Sequence, residues 1–174
     1  MSSPALTGSH MDRVVTATDL IAALQLQRLP LEGGYYRETY RSDQLLPGSV
    51  KSVCTAIYYL LTPDTCSALH RLPADEIYHF YLGDPVELLQ LNEMGGTVVR
   101  LGPNLFAGDA VQAVVPRGVW QGSSLKDGGR FALLGTTVAP GFDFEDYEAG
   151  DPTALAARYP EFAARIARLH GANG

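Results

Sequence analysis

Between residues 35 and 140 the apolar positions come in short runs of Val, Ile, Tyr, Phe and Thr, and each run is closed by Gly, Pro, Asn or Asp. That spacing is the punctuation of β-strands. It predicts strands over 35–41, 52–61, 67–71, 76–82, 86–92, 96–101, 110–115, 118–124 and 131–138. Glu93-Met94-Gly95 and Lys126-Asp127-Gly128-Gly129 each supply the glycine a tight turn needs, and both read as hairpin links. With no helical pattern between the strands, a sandwich or barrel is favoured over a parallel α/β sheet.

Helical periodicity flanks this block. Thr18-Asp19 reads as a helix start, and Leu20, Ile21, Ala23 and Leu24 give one packing face. This helix is predicted to end near Gln27, ahead of Pro30 and Gly33-Gly34. At the other end Asp151-Pro152 joins an N-cap acceptor to a first-turn proline. Helices are predicted over 152–158 and 161–169; in the second, Phe162, Ile166 and Leu169 form a stripe suited to packing on the outside of a barrel, while Glu161, Arg165 and Arg168 face water.

Composition narrows the classes. A chain of 174 residues with 46% apolar content suits one domain with a sizeable core. It holds no apolar run of about 18 residues or more, so no transmembrane helix is expected. The formal charge of −6, with basic residues scattered, argues against nucleic-acid backbone binding. Cys54 and Cys66 fall in predicted strands outside any CxxC or metal spacing, and are expected as two small buried hydrophobes in a reducing cytoplasm, with one disulfide as the alternative. Residues 1–11 lack the features of a secretion signal, and Gly8-Ser9-His10-Met11 looks like a vector remnant; they are set aside, leaving 12–174 as a single domain. There is no solenoid-type repeat and no GxGxxG, P-loop, GxSxG or HExxH pattern.

Candidate chemistry concentrates in the strand-turn-strand stretch 67–83. It resembles the first cupin motif, a His-x-His pair followed by Glu and then Gly: His70, Glu76 and Gly83 stand at the first His, the Glu and the Gly, and Leu72 at the second His. The run Pro116, Gly118, Gln121 resembles the second motif, with Gln121 in place of its His and Gly108 somewhat farther upstream than that motif has its glycine. With EGGYYRETY at 32–40, LHR at 69–71, DEIYHF at 75–80, VPRGVWQ at 115–121 and APGFDFEDY at 139–147, the chain from about residue 17 to 160 is similar to the small Cupin_5, or DUF985, group of cupins. The resemblance implies an all-β fold, a cupin jelly-roll β-barrel that is commonly dimeric, with the short helices outside it. It implies little about reaction.

Strand alternation sets Tyr78 and Phe80 on the face of Glu76 and His79 on the other, where a contact between sheets or subunits is a better reading than a ligand. Zn, Fe or Mn sites want three or four convergent donors. No metal or other cofactor is therefore predicted, the alternative being a divalent ion held by His70, Glu76, Gln121 and water. Without a metal, His70 and Glu76 make an acid/base pair, since an imidazole titrates near neutrality and a carboxylate orients it; a structural pair packed for stability is the competing reading. The Ala68-Leu69-His70 run is also distantly similar to cupin epimerases of nucleotide-linked keto-deoxysugars, which use a His base and a Tyr acid with no catalytic metal. That implies a sugar or keto-sugar epimerase or isomerase, with Tyr36, Tyr58 or Tyr78 as the acid; Tyr78 joins His70 and Glu76 in the candidate catalytic set.

Tyr36 and Arg37 offer an aromatic wall and a guanidinium for a phosphate or carboxylate, or an ordinary amphipathic strand, and Phe80, Trp120 and Gln121 complete the candidate substrate-binding set. Trp120 stacks on a ring or fills the core with its N–H paired. The stretch 142–147 is a lid over a barrel mouth or a clasp for the C-terminal helices, and the clasp is favoured. The functional expectation is a cupin that takes a small polar or carbohydrate-like molecule, with a noncatalytic binding barrel or a metal-dependent isomerase or oxygenase as alternatives. A homodimer is expected, because a twofold partner covers an open sheet edge.

Overall fold

In the computed structural model, which describes residues 14–170, the chain begins with helix α1 (Ala17–Ala23) and strands β1 (Gln27–Arg28), β2 (Tyr35–Arg41), β3 (Thr55–Leu61), β4 (Cys66–Arg71) and β5 (Asp75–Gly83). It continues through β6 (Val86–Asn92), β7 (Gly95–Leu101), β8 (Gln112–Val115), β9 (Trp120–Leu125), β10 (Ala132–Ala139) and β11 (Glu148–Ala149), and closes with helices α2 (Pro152–Arg158) and α3 (Ala163–Arg168). One antiparallel sheet has the order β1-β2-β3-β10-β5-β8 and the other β11-β4-β9-β6-β7. The residues set aside at 1–11 lie outside the described ones.

The sheets face each other across one apolar layer. Period-two alternation sends Tyr59 and Leu61 of β3, Tyr78 of β5, Leu88 of β6, Val115 of β8 and Leu134 of β10 into it. At roughly 1.5–3 kcal/mol for each fully buried large apolar side chain, this layer holds the two walls of the barrel in register. The outer faces are covered by the helices. Leu155, Tyr159, Ile166 and Leu169 pack on Cys66, Leu69, Leu89 and Leu91 of the five-stranded sheet, as the Phe162/Ile166/Leu169 stripe predicts. On the six-stranded sheet, Leu20, Ile21 and Leu24 pack on Leu60, Phe131 and Leu133.

Several expectations are corrected. The first helix is capped by Thr16, whose hydroxyl accepts from the Asp19 N–H while the Asp19 carboxylate accepts from the Thr16 N–H, so the start signal is Thr16 with Asp19 and not Thr18. The helix stops at Ala23 because Gln25 turns left-handed (φ 53°), and Gln27–Arg28 then pairs with Tyr36 and Tyr35 as a strand. The Lys126–Gly129 turn closes as expected, with the Gly129 N–H donating to Lys126 C=O at 2.9 Å, yet it is no hairpin: β9 pairs with β4 and β6, and β10 with β3 and β5. It carries the chain from one sheet to the other. Cys54 is half-buried just ahead of β3 and Cys66 is buried, and no disulfide joins them. Gly83 ends β5 at φ +106°, where a Cβ would meet the Phe131 carbonyl, so the glycine of the first motif has a steric cause.

Candidate functional site in the barrel

The link from β4 to β5 crosses between the sheets, so His70 stands on one wall and Glu76 on the other. A β-bulge between Ser67 and His70 is what lets residues three apart both turn inward. Leu69, between them, goes outward to the helices. Glu76 lies opposite Val138 on β10 and Val115 on β8. The Pro30–Gly34 turn delivers a second carboxylate: Glu32 C=O accepts from the Ala68 N–H at 2.8 Å, and its side chain enters the barrel to accept from Ser67 Oγ at 2.7 Å.

Glu32 and Glu76 line a cavity of about 290 Å³ together with Tyr36, Ile57, Thr136 and Phe142. At its mouth, Arg41 donates to Glu38 at 2.9 Å and to Asp143 at 3.1 Å. From segment 142–147, Phe142, Asp143 and Phe144 line the cavity, and Lys51 pairs with Asp146. The favoured clasp reading is therefore corrected, because none of this stretch is in the cluster packed with the C-terminal helices.

Glu76 is 7% exposed and accepts from Gln121 Nε2 at 2.7 Å. Burial pushes its pKa up, and the charge of Glu32 adds to the rise against His70, Thr136 and Gln121. Burial likewise lifts Glu32 from 4.5 to about 7, against the hydrogen bonds of Ser67 and Tyr59. Two carboxyl groups facing one space do not both ionise cheaply, so the charge of each holds the other's pKa up.

His70 is 1% exposed. Its Nδ1 sits 2.8 Å from the Ala68 carbonyl oxygen; a carbonyl only accepts, so Nδ1 carries the proton and Nε2 the lone pair of the neutral ring. Tyr147 stacks on the ring at 4.9 Å. Burial pushes the His70 pKa down, against the opposing pull of Glu76 and of the Ala68 carbonyl.

The predicted residues separate accordingly. Glu76 and Tyr36 line the cavity. His70, Gln121 and Tyr78 form the buried layer beside it; Tyr78 is fully buried, its pKa driven well above the usual value by burial and then by the Glu76 and Glu32 charges. Phe80 packs into the apolar layer. Arg37 and Trp120 lie on outer faces: Arg37 sits over the Tyr58 ring at 5.4 Å, and Arg71 covers Trp120 at 4.5 Å. His79 is outward too, bonded to Thr137 and Gln112. Sequence reasoning missed Glu32, Ser67 and Arg41 as site residues; the local signs of Glu32 are its place at the head of the 32–40 run and the Gly33-Gly34 pair beside it, where a Gly34 side chain would collide with the Tyr59 ring.

The donor set does not fit a metal ion. Leu72 occupies the second His position and is buried against Val138 and Phe142, and Gln121 turns its amide N–H, a donor, towards Glu76. Among the described residues no three His, Cys, Asp or Glu side chains are placed to hold a metal ion together. Nor is any described helix long and apolar enough to cross a membrane.

Two facing antiparallel sheets with an interior polar site, and the His70/Glu76/Gly83 stretch crossing between them, define a cupin barrel. The family model for the Cupin superfamily (DUF985), Cupin_5, matches residues 18–150, and the chain belongs to that family. It is 31% identical over 157 residues to the uncharacterized protein YML079W of Saccharomyces cerevisiae, across 79% of this chain and 78% of the relative. Among solved structures it is similar to protein SO0799 of Shewanella oneidensis, with 36% identity, a TM-score of 0.83, and 91% of this chain and 99% of that one covered. A hypothetical protein from Leishmania major matches at 34% identity and a TM-score of 0.81, over 90% and 99% of the two chains.

Proposed function

We propose that this cupin takes a small hydroxyl- or carbonyl-bearing molecule, of the size and polarity of a keto-sugar, into the barrel and moves a proton on it without a metal, as an epimerase or isomerase. The observation that carries this reading is the pair of interior carboxylates, both with raised pKa, facing one cavity. Proton transfer next to a carbonyl needs one group poised to accept and one to donate near the working pH. Glu76 is the base and Glu32, half-protonated near pH 7, the acid. The imidazole, anchored through Nδ1 and covered by Tyr147, holds the wall beside Glu76, so the carboxylate takes the role that sequence alone assigns to His70.

The test is deuterium wash-in from D2O, read by NMR on a panel of hydroxyketones, keto-sugars and sugar phosphates in the presence of EDTA. A substrate gains deuterium at the carbon next to its carbonyl, and Glu76→Gln, with its circular dichroism unchanged, cuts the rate by about 100-fold or more. A compound that binds in the cavity and is recovered without deuterium would make this a binding barrel. Undiminished exchange in Glu76→Gln would remove the carboxylate from the chemistry.

A further inference from the structure

On the outer face of the five-stranded sheet, away from the barrel interior, a second cleft of about 290 Å³ is lined by Arg71, Asn92, Glu93, Arg117, Trp120 and Arg158. Three arginines thus line one depression in a chain whose net charge is −6. Arg71 is held rigidly, with two 2.7 Å bonds to Glu148 and its plane over Trp120. The guanidiniums of the other two make no salt bridge among the described residues. Most basic side chains among the described residues have a carboxylate partner, such as Arg41, Lys51, Arg100, Arg130, Arg165 and Arg168. Arg117 donates only its backbone N–H, to the Asp75 carboxylate at 2.8 Å, and the Arg158 guanidinium has only a ring contact with Tyr159 at 5.4 Å.

We propose that this cleft is a binding site for a small phosphorylated molecule, recognised by Arg117 and Arg158 beside the Arg71–Trp120 stack. Two guanidiniums without a salt bridge beside a fixed Arg71–Trp120 stack leave their N–H donors available, and the guanidinium fork matches phosphate oxygens in pairs. The scaffold under the cleft is stiff. Arg117 sits in a turn pinned by the Gly118 N–H donating to Leu72 C=O at 2.8 Å, and Arg158 ends α2, whose neighbour Tyr159 is fixed by its hydroxyl donating to Asn92 C=O at 3.0 Å. Glu93 is the one carboxylate lining the cleft, and it sets a preference for ligands charged strongly enough to outweigh it.

The experiment uses a built-in reporter, since Trp120 is the only tryptophan in the chain. The full chain is titrated with inorganic pyrophosphate, and separately with ADP, at constant ionic strength, following Trp120 fluorescence and the heat of binding. A saturable change is expected, weakened by added NaCl. Arg117→Gln and Arg158→Gln should each weaken it by about fivefold, the size of one exposed charge contact, and Glu93→Gln should tighten it. Failure of both probes to give a saturable signal above an NaCl control, or binding untouched by Arg117→Gln and Arg158→Gln, would overturn the proposal.

Discussion

Replacing Glu32 by Gln should stabilise the protein at pH 8 and leave it unchanged at pH 4. In the folded chain burial lifts the Glu32 carboxyl from 4.5 to about 7, and unfolding returns it to the lower value. The native state therefore holds this proton more tightly than the unfolded state. Its contribution is fully present below pH 4.5, is lost as pH rises towards 7, and is gone above. A gap of about 2.5 pH units at about 1.4 kcal/mol each comes to about 3.5 kcal/mol, an upper figure because Glu32 is half-buried and lines an open cavity. Gln keeps an acceptor for Ser67 Oγ and cannot ionise, so it avoids this loss. Urea unfolding of both proteins, followed by circular dichroism from pH 4 to pH 8, reads the difference; on heating, the gain at pH 8 corresponds to roughly 5–10 °C in Tm for a chain of this size. A stability change of the same size at both ends of the range, or a loss at pH 8, would refute the claim that Glu32 ionises against burial.

Three further outcomes follow from particular contacts. Tyr147→Ala uncovers His70 and should raise its pKa from the depressed native value towards the ordinary one, measured by NMR titration of the imidazole; an unmoved titration would mean that Tyr147 does not keep water from the ring. Gly83→Ala places a Cβ against the Phe131 carbonyl at φ +106° and should cost about 2 kcal/mol or more in urea unfolding, whereas a neutral substitution would show that β5 and β10 shift to accept it. Thr16→Ala removes the hydroxyl that caps α1 and should cost about 1 kcal/mol, with no change if the helix contributes nothing to stability.

What was legible in the sequence is what alternation and turn chemistry encode locally. Strands 35–41 and 86–92 and helix 152–158 appear with the predicted bounds, because β-prone runs closed by turn residues, and the Asp151-Pro152 cap, mark their ends locally. Glu76, Tyr78 and Phe80 share the inner face because residues two apart on a strand do. The same rule separates Trp120 from Gln121: neighbours on one strand face opposite ways, so only Gln121 enters the barrel. Period two could not reveal that Ser67 and His70 point together, since a bulge breaks the count. Glu32 was out of reach because it lies in a turn with no period and reaches the site through a backbone bond to Ala68, 36 residues on by the numbering. The Lys126–Gly129 glycines fix a turn, but which sheet the next strand joins is decided by tertiary pairing.

The most direct test needs no substrate: a carbon-13 NMR titration of the glutamate carboxyl groups in the wild-type chain, Glu32→Gln and Glu76→Gln. The account predicts a carboxyl with a midpoint near 7 that disappears in Glu32→Gln, while the raised midpoint of Glu76 falls in that variant as the neighbouring charge is removed. If both carboxyls titrate with the surface glutamates, and neither responds to removal of the other, the paired-carboxylate interior and the proton chemistry proposed for it are contradicted.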